Sequence, residues 1–397
     1  MPTRPMKQPE FITLMAMMSA VVSFSIDGML PALPSIAAQL TPEDVNRAQL
    51  IVTSFVLGLG VGTLFAGPIS DTVGRKPTIL GGVAIYAIGA ALAASAQSLE
   101  MLLAARVLQG LGSSGPRIAA LALVRDLHSG RHMARIVSFI MMVFTLVPAI
   151  APSVGTVIIA AFGWRGIFGA LIVFAFTMAS WMTLRQPETL ARDKRRPLRL
   201  GPLAAAFREV MTHRPVVTAT AVQTLVYGVL FATLSSTQQI FSITFGRGAS
   251  FPFWFAAIAL SSGGASLLNA TFVLRLGMRH LITLALGVQV AFSAALVVAF
   301  SQGLLPGWLA FPAYLAWNTG VFIMASLTIG NLNALALEPL GHIAGMAASV
   351  NGAIATVVSV GIAVPIGLAF DGTPVPLMAA TAGLAVTGFG LMKTIPR

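Results

Sequence analysis

The sequence has no cysteine among its 397 residues. That excludes a disulfide framework, thiolate chemistry and any cysteine-ligated metal. Charge is almost as scarce. Asp, Glu, Lys and Arg make up 9% of the chain, where a soluble protein carries roughly 25%. So little charge cannot clothe a chain of this size against water. Acids are the scarcest, 12 against 24 Lys and Arg. The net charge of +12 does not point to nucleic acid, because the bases lie scattered in short gaps rather than in one patch. No nucleotide-binding domain is present. "GLGVG", Gly58 to Gly62, follows no strand and lies inside an apolar run, so it reads as helix packing. "HSGRH" sets His128 and His132 four apart beside one acid, Asp126, in a basic gap. That is a solvated loop, and no metal is expected.

What the sequence has is hydrophobicity: 56% apolar residues and a mean hydropathy of +0.88. A membrane-crossing helix needs about 20 mainly apolar residues. Twelve runs qualify: 11–33, 48–67, 78–96, 99–124, 134–161, 164–184, 215–241, 251–272, 280–300, 305–332, 343–370 and 374–392. Lipid offers the backbone no hydrogen-bond partner, so these runs are expected to be helices. Strands of a membrane barrel would be shorter and would alternate. The first run is too long for a cleavable signal peptide, and no small-residue cleavage site closes it before Pro31 and Pro34.

The bases fix an expected orientation. With both termini cytoplasmic, 19 of the 24 Lys and Arg fall on the cytoplasmic side and only Arg47, Arg165 and Arg247 on the other. Arg106 and Arg117 lie inside the fourth run. The excess charge then reflects topology and contact with anionic lipid head groups. The longest polar gap, 185–214, divides the chain into an N-terminal half (1–184), a basic cytoplasmic linker (185–214) and a C-terminal half (215–397). "GPISDTVGRKPTIL" after the second run and "NATFVLRLGMRHLI" after the eighth align Gly74 with Gly277. Six-helix halves repeated in parallel, with a site between them at mid-membrane, are a transporter architecture.

Asp27 is the one acid well inside a run. An intramembrane carboxylate costs about 2.5–3.5 kcal/mol and marks a functional site by default. Arg106 is its natural partner. Asp27 is about six residues from the outer end of the first run and Arg106 about seven from that of the fourth, hence roughly 9 and 10 Å deep.

Several stretches resemble one family. "GPISDTVGRKPTIL" is similar to the loop 2–3 signature of the major facilitator superfamily, through Gly67, Asp71, Gly74, Arg75 and Lys76. "RVLQGLGSS" resembles its fourth-helix signature, through Arg106, Gln109, Gly110 and Gly112. "PAIAPSVG" resembles the fifth-helix antiporter signature through Pro148, Pro152 and Gly155, without its first glycine positions. "DGMLPALPSIAAQL" is similar to the first-helix end of the proton-coupled drug antiporters of the bicyclomycin/chloramphenicol-resistance type. The resemblance implies an all-α integral membrane protein of twelve transmembrane helices in two pseudo-symmetric six-helix halves around a central cavity. It implies a monomer in a bacterial inner membrane that exchanges protons for small amphipathic compounds, not an enzyme, with the proton gradient as energy source and no cofactor.

On that resemblance Asp27 and Arg106 couple the proton, and Gly67, Asp71, Gly74, Arg75 and Lys76 form a gate. Asp71 is expected to pair with a base or cap a helix start. Pro148, Pro152 and Gly155 form a bent, closely packed helix. Gln223, Tyr227, Trp317, Asn318 and Arg117 are candidates for substrate contact. The first four share a middle layer whose aromatic and amide groups suit a bulky apolar ligand with a few polar atoms. A metabolite exporter or a proton-coupled uptake symporter on the same scaffold remains an alternative, as does a non-transporting membrane protein.

Overall fold

A computed structural model describes residues 6–195, 197 and 200–395. Among these residues every regular element is a helix. The α-helices are α1 (Gln8–Asp27), α2 (Leu33–Leu40), α3 (Leu50–Val73), α4 (Arg75–Ala94), α5 (Leu99–Leu127), α6 (Gly130–Arg185), α7 (Leu200–Thr212), α8 (Arg214–Gln239), α9 (Phe251–Leu276), α10 (Met278–Ser301), α11 (Gly307–Leu337), α12 (Ala344–Leu368) and α13 (Val375–Thr394). They form two compact units. One comprises Met1–Leu40 with Ser54–Ala204, the other Thr41–Thr53 with Ala205–Arg397. Asn46 and Gln49 explain where the short segment belongs. Asn46 Nδ2 donates to the carbonyls of Leu368 and Phe370, and Gln49 Nε2 to that of Gly367.

Large apolar side chains are left uncovered: Phe162 is 75% exposed, Phe176 72% and Leu267 74%. Against water this would be a large penalty; against acyl chains it costs nothing, which makes this a multi-pass membrane protein. Among the described residues nine stretches are long and apolar enough to cross. The difference from twelve runs has three physical causes. Runs five and six join in α6, which bends at Gly163 (φ 67, ψ −179), a conformation that glycine alone adopts cheaply. Runs ten and eleven join through a 3-10 turn, Glu338–Ile343. The third cause is α5, which has 29 residues but is too polar to count.

The polarity of α5 is turned inward. Arg106, Gln109, Ser113 and Ser114 are all buried. Glycines bring it against two of its neighbours in the first unit. A Cβ on Gly110 would strike the Phe55 carbonyl of α3, and one on Gly112 the Tyr86 backbone of α4. Gly58 and Gly82 make the reciprocal approaches, to Val107 and Gly112. Close backbone contact through small residues is how helices associate in lipid, where burial supplies little drive.

The first run is not one helix. α1 stops at Asp27, a 3-10 turn covers Leu30–Ala32, and α2 begins at Leu33. Pro31 is the reason: it has no N–H for the Asp27 carbonyl four residues back, and its ring would crowd that oxygen. Asp27 is therefore the last residue of α1, inside an apolar stretch that runs on through the turn to Leu40.

Candidate functional site

Two polar clusters stand out, both in the first unit. The first surrounds Asp27, which is buried at 5% exposure. Gly28, beside it, meets α6: a Cβ on Gly155 would collide with the Gly28 carbonyl, and one on Gly28 would lie 3.6 Å from the Ala151 carbonyl. The expected close packing of the Pro148–Gly155 segment thus falls on the backbone next to the acid. Pro152 is buried and Pro148 half-buried, both within the helix.

Arg106 reaches the same end of α1, but through the backbone. Its Nη2 donates to the Ser25 carbonyl at 2.9 Å rather than to the Asp27 carboxylate, and its Nη1 to Gln109 Oε1 at 2.6 Å. The guanidinium lies 4.5 Å from the Phe55 ring centre. Ser25 Oγ also bonds Tyr86 OH of α4 at 2.6 Å and the Val21 carbonyl at 2.6 Å. The structure thus brings Arg106 to within two residues of Asp27 along α1. A difference of two residues on a helix is about 200° of rotation, which the depth argument left undetermined.

The second cluster is built on Gly74, whose φ of 112 lets α3 turn directly into α4. Arg75, its side chain 10% exposed, joins three helices. Its Nη1 meets Asp71 Oδ1 at 2.5 Å and Ser70 Oγ at 3.0 Å, and its Nε donates to Asp126 Oδ2, at the end of α5, at 2.9 Å. Asp71 therefore pairs with a base, and the helix cap comes from elsewhere. Glu188, after α6, accepts from the backbone N–H groups of Arg75 (3.0 Å) and Lys76 (3.1 Å) at the start of α4. It also accepts from those of Thr189 and Leu190, both at 2.9 Å. A carboxylate at a helix N-terminus is favoured by the helix dipole and by the free N–H groups there. Lys76 Nζ donates to the carbonyls of Thr183 and Gln186, and Thr189 Oγ1 to Asp126. Gly67 lies in α3, one turn before Asp71.

Asp126 and Glu188 are the residues that sequence reasoning missed. In the sequence Asp126 reads as part of a solvated loop and Glu188 as part of a basic linker. The signal was present: each is an acid within four residues of the end of a long apolar run, with an arginine between. In the second unit, Gly277 (φ 80) repeats the Gly74 turn between α9 and α10, and Leu274, 89% exposed, stands where Asp71 does. The backbone repeat is kept and the acid is not.

The candidate substrate residues fall into separate settings. Gln223 is buried on α8 and accepts from Asn351 Nδ2 at 2.9 Å, while Asn351 Oδ1 accepts from Thr220. Trp317 is fully buried on α11 and donates to Ser293 Oγ at 2.8 Å. Asn318, also fully buried, donates to Thr237 at 3.3 Å, while its Oδ1 has no partner. Tyr227 is half-buried and stacks on Phe231, ring centres 5.6 Å apart. Arg117 is exposed on α5, one residue after Pro116. Gln223 and Trp317 thus have protein partners, whereas Arg117 and the Asn318 carbonyl have polar capacity to spare.

Among the described residues no three His, Asp or Glu side chains converge as a metal site. The arrangement offers one buried carboxyl group beside a buried arginine, and a network of ion pairs and caps that ties α3, α4, α5 and the end of α6 together. Such a network holds helix ends in place.

Comparison with known proteins agrees. Over 350 residues the chain is 30% identical to the "Bicyclomycin resistance protein homolog" of Haemophilus influenzae, covering 87% of this chain and 85% of that protein. It is 30% identical over 277 residues to the "Multidrug resistance protein MdtL" of Escherichia fergusonii, covering 68% and 67%. In fold it is similar to a crystal structure of a D-xylose–proton symporter, with a TM-score of 0.78 at 14% identity over 98% of both chains. Residues 15–365 match the pattern of the Major Facilitator Superfamily, and the chain belongs to that family of transporters.

Proposed function

We propose that this transporter is a proton-coupled antiporter that exports small amphipathic compounds, drugs among them, by alternating access. The observation that carries the reading is the buried carboxyl of Asp27, at a helix end that touches Arg106 on one side and the Gly155 segment on the other. A carboxyl group held out of water changes the local charge by a full unit when it binds or releases a proton, and solute binding beside it feels that change. Linkage then makes proton and solute each weaken the binding of the other. The names of the relatives support a drug-like solute, and the half-buried Tyr227 and the spare Asn318 carbonyl are the contacts we assign to it.

The remaining parts of the reading follow. Counting α5, dividing α6 at Gly163 and dividing 307–368 at its 3-10 turn turns nine candidate spans into twelve. Both termini lie in the cytoplasm of a bacterial cell, the protein works as a monomer in the inner membrane, and the proton gradient supplies the energy without a cofactor. The Gly74 network is then a cytoplasmic gate.

The test uses purified protein in liposomes with an imposed pH gradient, following a bicyclomycin- or chloramphenicol-like solute and internal pH together. Solute moving against protons supports antiport. Solute and protons moving in the same direction would make the protein a symporter, and solute movement indifferent to the gradient would remove proton coupling.

A further inference from the structure

α7 lies outside both clusters. It turns a protein-facing side and a free side. Ala206 and Val210, four residues apart, are buried, and Glu209 beside them pairs with His342 Nε2 at 3.0 Å. Those contacts fix its rotation. At 3.6 residues per turn, Phe207 and Met211 then share a face about 100° away. They are 47% and 46% exposed. Arg208, also exposed, borders that face, and Arg214 follows at the start of α8.

The position of α7 says what covers this face. A single extended residue, His213 (φ −84, ψ 101), separates α7 from α8, and Arg214–Thr244 is apolar enough to cross a membrane. Phe207 is seven residues before α8 begins, so it lies within roughly 10 Å of that end along the chain. An interfacial helix buries its apolar face about 5–10 Å into the boundary between head groups and acyl chains. A helix joined this closely to a spanning helix stays within that layer. Apolar side chains bordered by arginines match its chemistry, hydrocarbon below and phosphodiester anions above.

We propose that α7 is an interfacial anchor: Phe207 and Met211 enter the acyl boundary of the leaflet where α8 begins, and Arg208 and Arg214 hold anionic lipid head groups. This surface is independent of the proton and solute assignments. It would fasten the connection between the two halves of the sequence to the bilayer and make its position sensitive to lipid charge.

The absence of cysteine makes the test direct. Single variants Phe207→Cys, Met211→Cys, Ala205→Cys and Thr212→Cys carry a nitroxide in the full-length protein, reconstituted into vesicles of phosphatidylcholine alone or with one part in three phosphatidylglycerol. Collisions with oxygen report lipid and collisions with a water-soluble nickel chelate report water. The oxygen-to-nickel ratio should be at least about threefold higher at 207 and 211 than at 205 and 212, which lie about 130° further round the helix. Phosphatidylglycerol should raise it further at 211, and Arg208→Gln with Arg214→Gln should cancel that rise. Equal ratios at all four sites would overturn the anchor, and a ratio at 211 indifferent to phosphatidylglycerol would overturn the head-group contact. Spin–spin broadening at 211 that disappears on dilution with unlabelled protein would show a second copy on this face instead.

Discussion

Glu188→Ala should loosen the Gly74 turn more than Asp71→Asn does, although Asp71 belongs to the recognisable motif and Glu188 does not. Glu188 accepts four backbone N–H bonds, two of them from the first residues of α4. A lost helix cap costs about 0.5–2 kcal/mol, and a hydrogen bond to a charged acceptor contributes about 1.5–3 kcal/mol. Water replaces part of the loss, so about 2–3 kcal/mol is expected for the whole carboxylate. At 1.4 kcal/mol per factor of ten, that is about 30- to 150-fold in the opening equilibrium. The Asp71 side chain is 51% exposed, and an exposed ion pair contributes only about 0.2–1 kcal/mol, or less than about sixfold. Arg75 also keeps Asp126 and Ser70 when Asp71 is neutralised. Amide hydrogen exchange over residues 74–80 measures the opening directly. Glu188→Ala should lose protection by about 30- to 150-fold and Asp71→Asn by under about sixfold. Glu188→Gln should fall between them, because one oxygen still accepts while its amide N–H₂ faces another donor at Lys76 or Arg75. Unchanged protection in Glu188→Ala, or a larger loss in Asp71→Asn, would refute the cap as the main support of the turn.

Three further outcomes are expected. Asp27→Asn should insert and fold normally and equilibrate solute, yet fail to drive it against a gradient; coupled accumulation at the wild-type rate in liposomes would place the proton elsewhere. Arg106→Lys should recover only part of the transport lost in Arg106→Ala, since an ammonium cannot span the Ser25 carbonyl and Gln109 as the planar fork does; full recovery in flux assays would reduce Arg106 to a point charge. Gly155→Ala should push α6 off α1 at Gly28, costing about 1–3 kcal/mol of overpacking, and lower the midpoint of thermal unfolding in detergent; an unchanged midpoint would mean that the two backbones do not meet as closely as described.

Much of this was readable in the sequence. Lipid forces each apolar run into a helix, so composition alone decided the fold class. Gly74 and Gly277 announced the two tight turns, because a glycine between long apolar runs is the residue that takes a positive φ without strain. The end of α1 was less legible, though Pro31 stood four residues after Asp27 to mark it. What composition could not reveal was rotation and distance along the chain. Asp27 and Arg106 lie at similar depth, yet the guanidinium meets Ser25, and one residue of register on a helix is about 100°. Glu188 lies 113 residues beyond Arg75 and Asp126 lies 51 beyond it. A lone acid at a helix end looks the same whether water or a distant helix cap satisfies it.

The two clusters of the first unit are carried by one helix. Arg106 and Asp126 are twenty residues apart on α5, about 30 Å at 1.5 Å per residue, which is the thickness of the bilayer core. Between them Pro116 interrupts the ladder, since it cannot donate to the Gly112 carbonyl. An isolated helix would hinge there. Here Gly82 of α4 lies against that turn: a Cβ on it would sit 2.7 Å from the Gly112 carbonyl and 2.8 Å from Pro116 Cδ. The weakened turn is therefore braced by contact with a neighbour instead of left free. Gly110 and Gly58 hold the α3 side in the same way. A rod wedged on two sides moves as a body or not at all, because packed interfaces do not deform continuously. Any rearrangement that shifts Arg106 relative to Ser25 must then be absorbed at the far end, where Asp126 holds Arg75. The polar residues that made α5 a poor membrane span by hydropathy are thus the two ends of its mechanical connection and the buried groups between them.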